Sequence, residues 1–364
     1  MKIADLIDYL ETIADPSLQE SYDNAGLITG LPEWECRGVL CTLDVTEEVI
    51  EEAIRNSCNL VVAHHPVIFR GIKKINGKNQ VERTVIIAIK NDIAIYAIHT
   101  NLDNVMEGVN GRMAAKIGLT GLEVLAPRNN SLMKLFTFVP ISHGDAVRTA
   151  IFEAGGGHIG NYSSCSFNAE GFGTFKGEAG SQPFAGTAGS LHKEAELKIE
   201  VIFPSYLQPR IIKALLAAHP YEEVAYDVIN TGNLHPQLGS GLTGRLEKPV
   251  AEGEFLKLLK GIFGVPVIRH SAFTGRMIKT VAICGGAGSF MISNALGSGV
   301  DAFVTADMKY HEFFEADGKI LIADVGHYES EQFTIGLLND LLQKKFPTFA
   351  VLKTGVKTNP VYYC

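Results

Sequence analysis

The run Leu60-Val61-Val62-Ala63-His64-His65-Pro66 decides how this chain is to be read. Four consecutive apolar residues are too few for a buried helix. They suit a strand covered on both faces, as parallel sheets require. The run then stops at two imidazoles, and Pro66 cannot donate a ladder hydrogen bond. Adjacent strand residues point to opposite faces, so His64 and His65 can serve one site only if the strand breaks there.

Working outward, Val39 to Leu43 and Ile93 to Ile98 are two more short apolar runs. Helical patterns lie between them, over Thr46 to Asn56 and Val81 to Asn91, with Thr46 or Asp44 available to cap the first. This alternation predicts an α/β fold. The middle of the chain differs. It gives a strand at Lys134 to Val139, a helix at His143 to Ala154, and extended segments around Ser163–Ala169 and Gly173–Lys176. A Gly/Ser-rich stretch from Gly177 to Gly189 follows, then a strand at Glu196 to Phe203, a helix led by Leu207 and Ile211, and a strand at Glu222 to Ile229. The order β-α-β-β-α-β is that of a ferredoxin-like unit. After Gly239-Ser240-Gly241 the α/β pattern resumes, with strands expected at Val281–Cys284, Ala302–Thr305 and Lys319–Val325. The expected organisation is a two-part metal-binding core, 1–130 and 239–364, split by an inserted domain at 131–238. Three domains in series is the alternative.

The 364 residues carry 46% hydrophobic and 20% charged side chains, enough for a packed core. A net charge of −8 argues against a nucleic-acid partner held by bulk charge. The six cysteines are scattered, without a Cys-x-x-Cys pair, which suits a reducing compartment. Met1-Lys2-Ile3-Ala4-Asp5 puts an acid where a signal peptide needs apolar residues, and no apolar run approaches membrane-spanning length. A cytoplasmic protein with no membrane partner is expected.

Ligands of α/β proteins collect outside the carboxyl ends of strands. Here those ends carry polar residues: Asp44, the His64–His65 pair, His99-Thr100-Asn101-Leu102-Asp103, Asp307 with His311, and Asp324 with His327 and Glu331. His327 and Glu331, four apart, share one helix face. One division gives each of two metals one imidazole of the pair, adds Asp103 to the first and His327 to the second, and lets Glu331 bridge. Imidazole and carboxylate ligands suit zinc first, with iron, manganese or cobalt also fitting. Five protein ligands for two ions leave open positions, as a catalytic site needs. His99, Asp44 and Asp324 are read as supporting or capping residues. His311 is the candidate for catalytic proton transfer, with a supporting or plain surface role as the alternatives. Cys284-Gly285-Gly286-Ala287-Gly288-Ser289 reads as a tight strand-to-helix turn sooner than a phosphate cradle. Tyr22-Asp23-Asn24-Ala25-Gly26 is a polar loop, beside the cleft or a simple turn.

Four ordered segments now carry a resemblance. They are Ala63-His64-His65-Pro66, His99 to Asp103, Thr305-Ala306-Asp307-Met308-Lys309-Tyr310-His311, and Gly326-His327-Tyr328-Glu329-Ser330-Glu331. Together they resemble the signatures of the NIF-three-like family, whose members carry the name GTP cyclohydrolase I type 2 homologue. The resemblance covers both outer segments. It implies a dinuclear centre, with His64, Asp103 and Glu331 on one ion and His65, His327 and Glu331 on the other, in a toroidal homohexamer. Gly157-His158-Ile159-Gly160-Asn161-Tyr162 and His219-Pro220-Tyr221-Glu222 resemble the PII-like or CutA-like insert of longer bacterial members.

Two functions compete. One is a metal-dependent hydrolase acting on a small-molecule substrate, a nucleotide or related phosphate compound, as the GTP cyclohydrolase name implies. The other is a non-enzymatic hexameric scaffold that binds metal or senses a ligand through its insert. A DNA-binding ring is disfavoured by the acidic balance.

Overall fold

In the computed structural model, which describes residues 1–364, Leu60–Ala63 is a strand with every residue buried. It lies inside a five-stranded sheet ordered Gly26–Thr29, Ala94–Ala97, Leu60–Ala63, Val39–Thr42, Val351–Lys353. Only the Gly26–Thr29 pairing is antiparallel. Helix Glu47–Arg55 covers one face through Val49, Ile50 and Ala53. Of the two candidate caps, Thr46 takes the role, accepting the amide of Val49 at 3.4 Å. Asp44 is thereby left for the site.

A six-stranded sheet holds the later segments, in the order Arg269–His270, Leu321–Asp324, Ala302–Ala306, Met277–Ala287, Gly239–Ala251, Thr120–Pro127. Its three central strands, those of Leu321, Ala302 and Met277, run parallel. Helix Phe333–Lys345 packs on strands of the first sheet and on helix Val109–Ile117, which in turn lies on the second sheet. That packing ties the two sheets into one core.

The chain divides into two compact units, one of residues 1–127 with 236–364, the other of residues 128–235. The second unit is a four-stranded antiparallel sheet ordered Phe167–Lys176, Leu191–Pro204, Leu132–Pro140, Tyr226–Asn230, with helices Gly144–Glu153 and Gln208–Ala218. The two extended segments expected around residues 163–176 are a single strand, Phe167–Lys176. Gly171 does not break it, because this is an edge strand and the ladder continues through Gly171 opposite Glu196.

Cys284-Gly285-Gly286-Ala287 is also strand where a turn was expected. The pairing register shifts between Ile283 and Ala287, and Gly286 takes φ +64°. The helix follows only at Ile292. No helix of the protein is long and apolar enough to cross a membrane.

Within the first unit, Gly239 pairs directly opposite Pro127 on neighbouring strands. The excursion between them therefore starts and ends at adjacent points. A chain in which residues 128–238 are replaced by a short Gly/Ser turn should fold cooperatively with the first unit's helix and strand content. Circular dichroism and thermal melting check this. A non-cooperative melt would show that the first unit needs the second.

Candidate metal centre

The carboxyl ends of the parallel strands deliver the polar residues to one place. Past Ala63 the backbone keeps its parallel course for two residues, His64 N–H bonding Thr42 O at 3.3 Å and His65 N–H bonding Leu43 O at 2.9 Å. Pro66 then ends it. The two rings lie 4.9 Å apart, tilted by 44°. Strand Leu321–Asp324 is followed by Gly326, whose φ of +90° turns the chain into the short helix His327–Glu331. There His327 Nε2 stands 3.0 Å from Glu331 Oε2.

Each imidazole is fixed through Nδ1 and presents Nε2. His64 Nδ1 donates to the Ile98 carbonyl at 2.9 Å. A carbonyl only accepts, so the neutral ring's Nε2 carries a free lone pair. His65 Nδ1 bonds Asp44 Oδ1 at 2.8 Å, and the Thr358 hydroxyl donates to the other oxygen of Asp44 at 2.6 Å. His327 Nδ1 bonds Asp307 Oδ2 at 2.8 Å, and His99 Nδ1 bonds Asp23 Oδ1 at 2.7 Å. This carboxylate-or-carbonyl backing is how metal-ligating histidines are oriented.

The free ends converge. His65 Nε2 is 3.0 Å from Glu331 Oε2 and 3.4 Å from His327 Nε2. His64 Nε2 is 3.7 Å from Asp103 Oδ1 and 3.9 Å from Glu331 Oε1. Ligands on a tetrahedral ion with bonds of about 2.0–2.1 Å are roughly 3.3 Å apart; the separations of 3.0–3.4 Å among His65, His327 and Glu331 bracket that value, and those of 3.7–3.9 Å around His64 are longer. His64 Nε2, Asp103 Oδ1 and Glu331 Oε2 are buried and make no aligned hydrogen bond. Unsatisfied buried donors and acceptors are rare because each costs about 1–3 kcal/mol, so a group of them around Glu331 fits a cation. Two groups have the compactness to hold an ion: His65, His327 and Glu331, and His64, His65 and His99, the atoms of each within 4.8 Å of one another.

The electrostatics agree. Burial alone would raise Glu331, but the imidazoles of His327, His64 and His65 outweigh it and hold the carboxyl well below its ordinary value. Burial and the nearby charge of Glu331 push Asp103 up to about 7. Burial would lower the two outer histidines, but Asp44 and Glu331 raise His65 to about 9. Asp307 and Glu331 likewise raise His327 to about 11. Protons thus do at His65 and His327 what a metal would do: neutralise buried carboxylates.

Gly286 explains its own sequence segment. A Cβ there would fall 2.2 Å from Glu331 Oε1, so the strand irregularity makes room for the carboxylate. Asp324 accepts the amides of Met308 and Gly326, each at 3.1 Å, and pairs with Arg269, holding both loops in shape. Asp23 was readable only as part of a polar loop. Thr358 and Asn359 gave no signal, since the terminal segment has no periodicity. Asn359 nevertheless donates to buried Glu329 at 2.8 Å.

A cavity of about 1050 Å³ opens here, and its wall includes His65, His99, Asp103, His327 and Glu331. His311 is not on that wall. It is exposed on the 3₁₀ segment Tyr310–Ala316, its ring 5.1 Å from that of Tyr310 and 6.3 Å from that of Phe314.

The sequence profile of the Duf34/NIF3 (NGG1p interacting factor 3) family matches residues 1–360. A Halalkalibacterium halodurans protein named GTP cyclohydrolase 1 type 2 homolog is 42% identical over 369 residues, 99% of each chain. A Bacillus subtilis protein of the same name is 36% identical over 361 residues, 98% of this chain and 96% of that one. Among solved structures, a Bacillus cereus protein related to NIF3 matches with TM-score 0.87 and 37% identity, covering 100% of this chain and 99% of that one. A Staphylococcus aureus protein matches at 0.78 and 28%, with the same coverage.

Two outcomes are expected. Asp307→Asn and Asp44→Asn should each weaken metal affinity about 10–100-fold while the fold melts normally, measured by competition with a chelating dye. Unchanged affinity would mean that the backing bonds do not tune the ligands. Metal added to the stripped protein at pH 7 should release protons, because His65 and His327 carry raised values of about 9 and 11 and must lose the Nε2 proton to bind. Affinity should therefore fall as pH falls. Calorimetry in two buffers of different ionisation heat counts the protons, and a count of zero would contradict this ligand set.

Proposed function

The chain belongs to the Duf34/NIF3 family, and on that premise we propose that it is a dinuclear metal-dependent hydrolase acting on a nucleotide or a related small phosphate compound. The observation that carries the proposal is the pair of buried, unpartnered ligand atoms His64 Nε2 and Asp103 Oδ1 beside the compact His65–His327–Glu331 cluster. His64, Asp103 and Glu331 would hold one ion, and His65, His327 and Glu331 the other. Zinc fits this set first, ahead of iron, manganese and cobalt. Bound divalent ions would supply Lewis acidity and lower the pKa of water for attack.

The chain's own residues do the rest. The cavity of about 1050 Å³ is large enough for a nucleotide. Tyr22 and Phe69 line it with ring centroids 6.4 Å apart and offer faces against which a planar base can lie. His99 lies on the wall, its ring 5.2 Å from those of both His64 and His65. It is oriented by Asp23, which its hydrogen bond and that of Thr100 hold, against burial, well below the ordinary carboxylate range. His99 rather than His311 therefore has the position to move a proton to or from a substrate in this cavity. The relatives' shared name, GTP cyclohydrolase 1 type 2 homolog, supports the choice of nucleotides as first substrates. We extend the proposal to a cytoplasmic ring of six copies of the 39.4 kDa chain.

A nucleotide panel tests this. Turnover should appear with protein as purified, vanish with chelator, and return with one defined divalent metal. Glu331→Gln should lose both ions together and lose turnover, since this one carboxylate would serve both. Full metal exchange with no turnover on any nucleotide would overturn the hydrolase and leave a metal-binding scaffold.

A further inference from the structure

The motif His219-Pro220-Tyr221-Glu222 plays no part in the metal centre. It builds a second cavity, of about 720 Å³, wholly within the 128–235 unit. We propose that this cavity is a binding site for a small organic ammonium ion.

The floor is the sheet face opposite the two helices. Glu196 sits there on the central strand Leu191–Pro204, its side chain nine-tenths buried. One of its oxygens accepts the Tyr221 hydroxyl at 2.7 Å. The other fills the space over Gly173, where a Cβ would lie 2.1 Å away. No cation pairs with Glu196. Of the two lysines on the wall, Lys198 is bonded to Glu200 at 2.8 Å, and Lys176 is exposed. A buried carboxylate with a single neutral donor is under-compensated, and a cation is the ligand that relieves it.

The walls have the matching chemistry. The Tyr221 ring lies 5.9 Å from that of Phe175 and 6.1 Å from that of Phe184. Three aromatic rings thus line the same cavity as the carboxylate, which are surroundings that suit a weakly hydrated cation. The motif's hydrogen bonds all serve that cavity. His219 Nε2 donates to the Phe138 carbonyl at 3.0 Å, and its Nδ1 accepts the Tyr221 amide at 3.1 Å. Glu222 accepts the amide of Gln182 at 2.9 Å, which draws the Gly/Ser-rich loop and Phe184 over the cavity. Five glutamates against two lysines on the wall oppose an anionic ligand.

Calorimetry on the full-length, metal-loaded protein tests the proposal with choline, butylammonium and spermidine, and with 3,3-dimethylbutan-1-ol, the neutral carbon isostere of choline. At least one cation should bind saturably, with the isostere at least about tenfold weaker. Glu196→Gln should weaken that binding at least about tenfold, and Tyr221→Phe, which keeps the ring, by less. His327→Ala, at the metal centre, should leave it unchanged. The proposal is overturned if none of the three cations binds, if choline and its isostere bind equally, or if Glu196→Gln has no effect. It is also overturned if Glu196→Gln dissociates the protein's assembly, since the cavity would then be a contact between copies.

Discussion

A carboxylate taken out of water costs several kcal/mol unless charge or N–H donors surround it. Glu331 is such a carboxylate, and the surrounding structure is organised to keep it ionised. His65 and His327 approach one of its oxygens at 3.0 Å each, and His64 faces the other at 3.9 Å. Those rings come from two different sheets, so the charge balance at Glu331 couples the two halves of the core. Gly286 gives up its side chain and a regular strand to admit the same carboxylate.

The next layer is made of carboxylates that hold the rings. Asp44, Asp307 and Asp23 each take an Nδ1 at 2.7–2.8 Å. Their effect is directional. With Nδ1 occupied, Nε2 is the ring nitrogen left to a cation, and those of His65 and His327 already meet at Glu331. Thr358, near the chain's end, steadies Asp44 from behind. The C-terminal segment is thus part of the site's support, although it adds no ligand of its own.

Much of this was legible in the sequence. Short apolar runs that stop at His64–His65, Asp103 and Asp324 announce parallel strands with a site at their carboxyl ends, and the four-residue spacing of His327 and Glu331 announces a shared helix face. What was not legible has physical causes. The two extended segments around Ser163–Ala169 and Gly173–Lys176 join because Gly171 between them stays in an edge-strand ladder. Gly285 and Gly286 read as a turn, because nothing local shows that a carboxylate 45 residues later needs the space. Asp23 finds His99 across 76 residues, and only the tertiary fold creates that pair. The terminal Thr358 and Asn359 are two polar residues without pattern. His311 has the right neighbours in sequence, yet its strand-end loop leads outward and leaves the ring exposed among Tyr310 and Phe314.

Anomalous diffraction from crystals of protein purified without added metal tests the central claim most directly, with data collected on either side of the zinc, iron, cobalt and manganese edges. The account predicts two anomalous peaks per chain, one bounded by His64, Asp103 and Glu331 and the other by His65, His327 and Glu331, with separation of about 3.5–4 Å. A single peak, or none at full occupancy of a metal elsewhere on the chain, would contradict it.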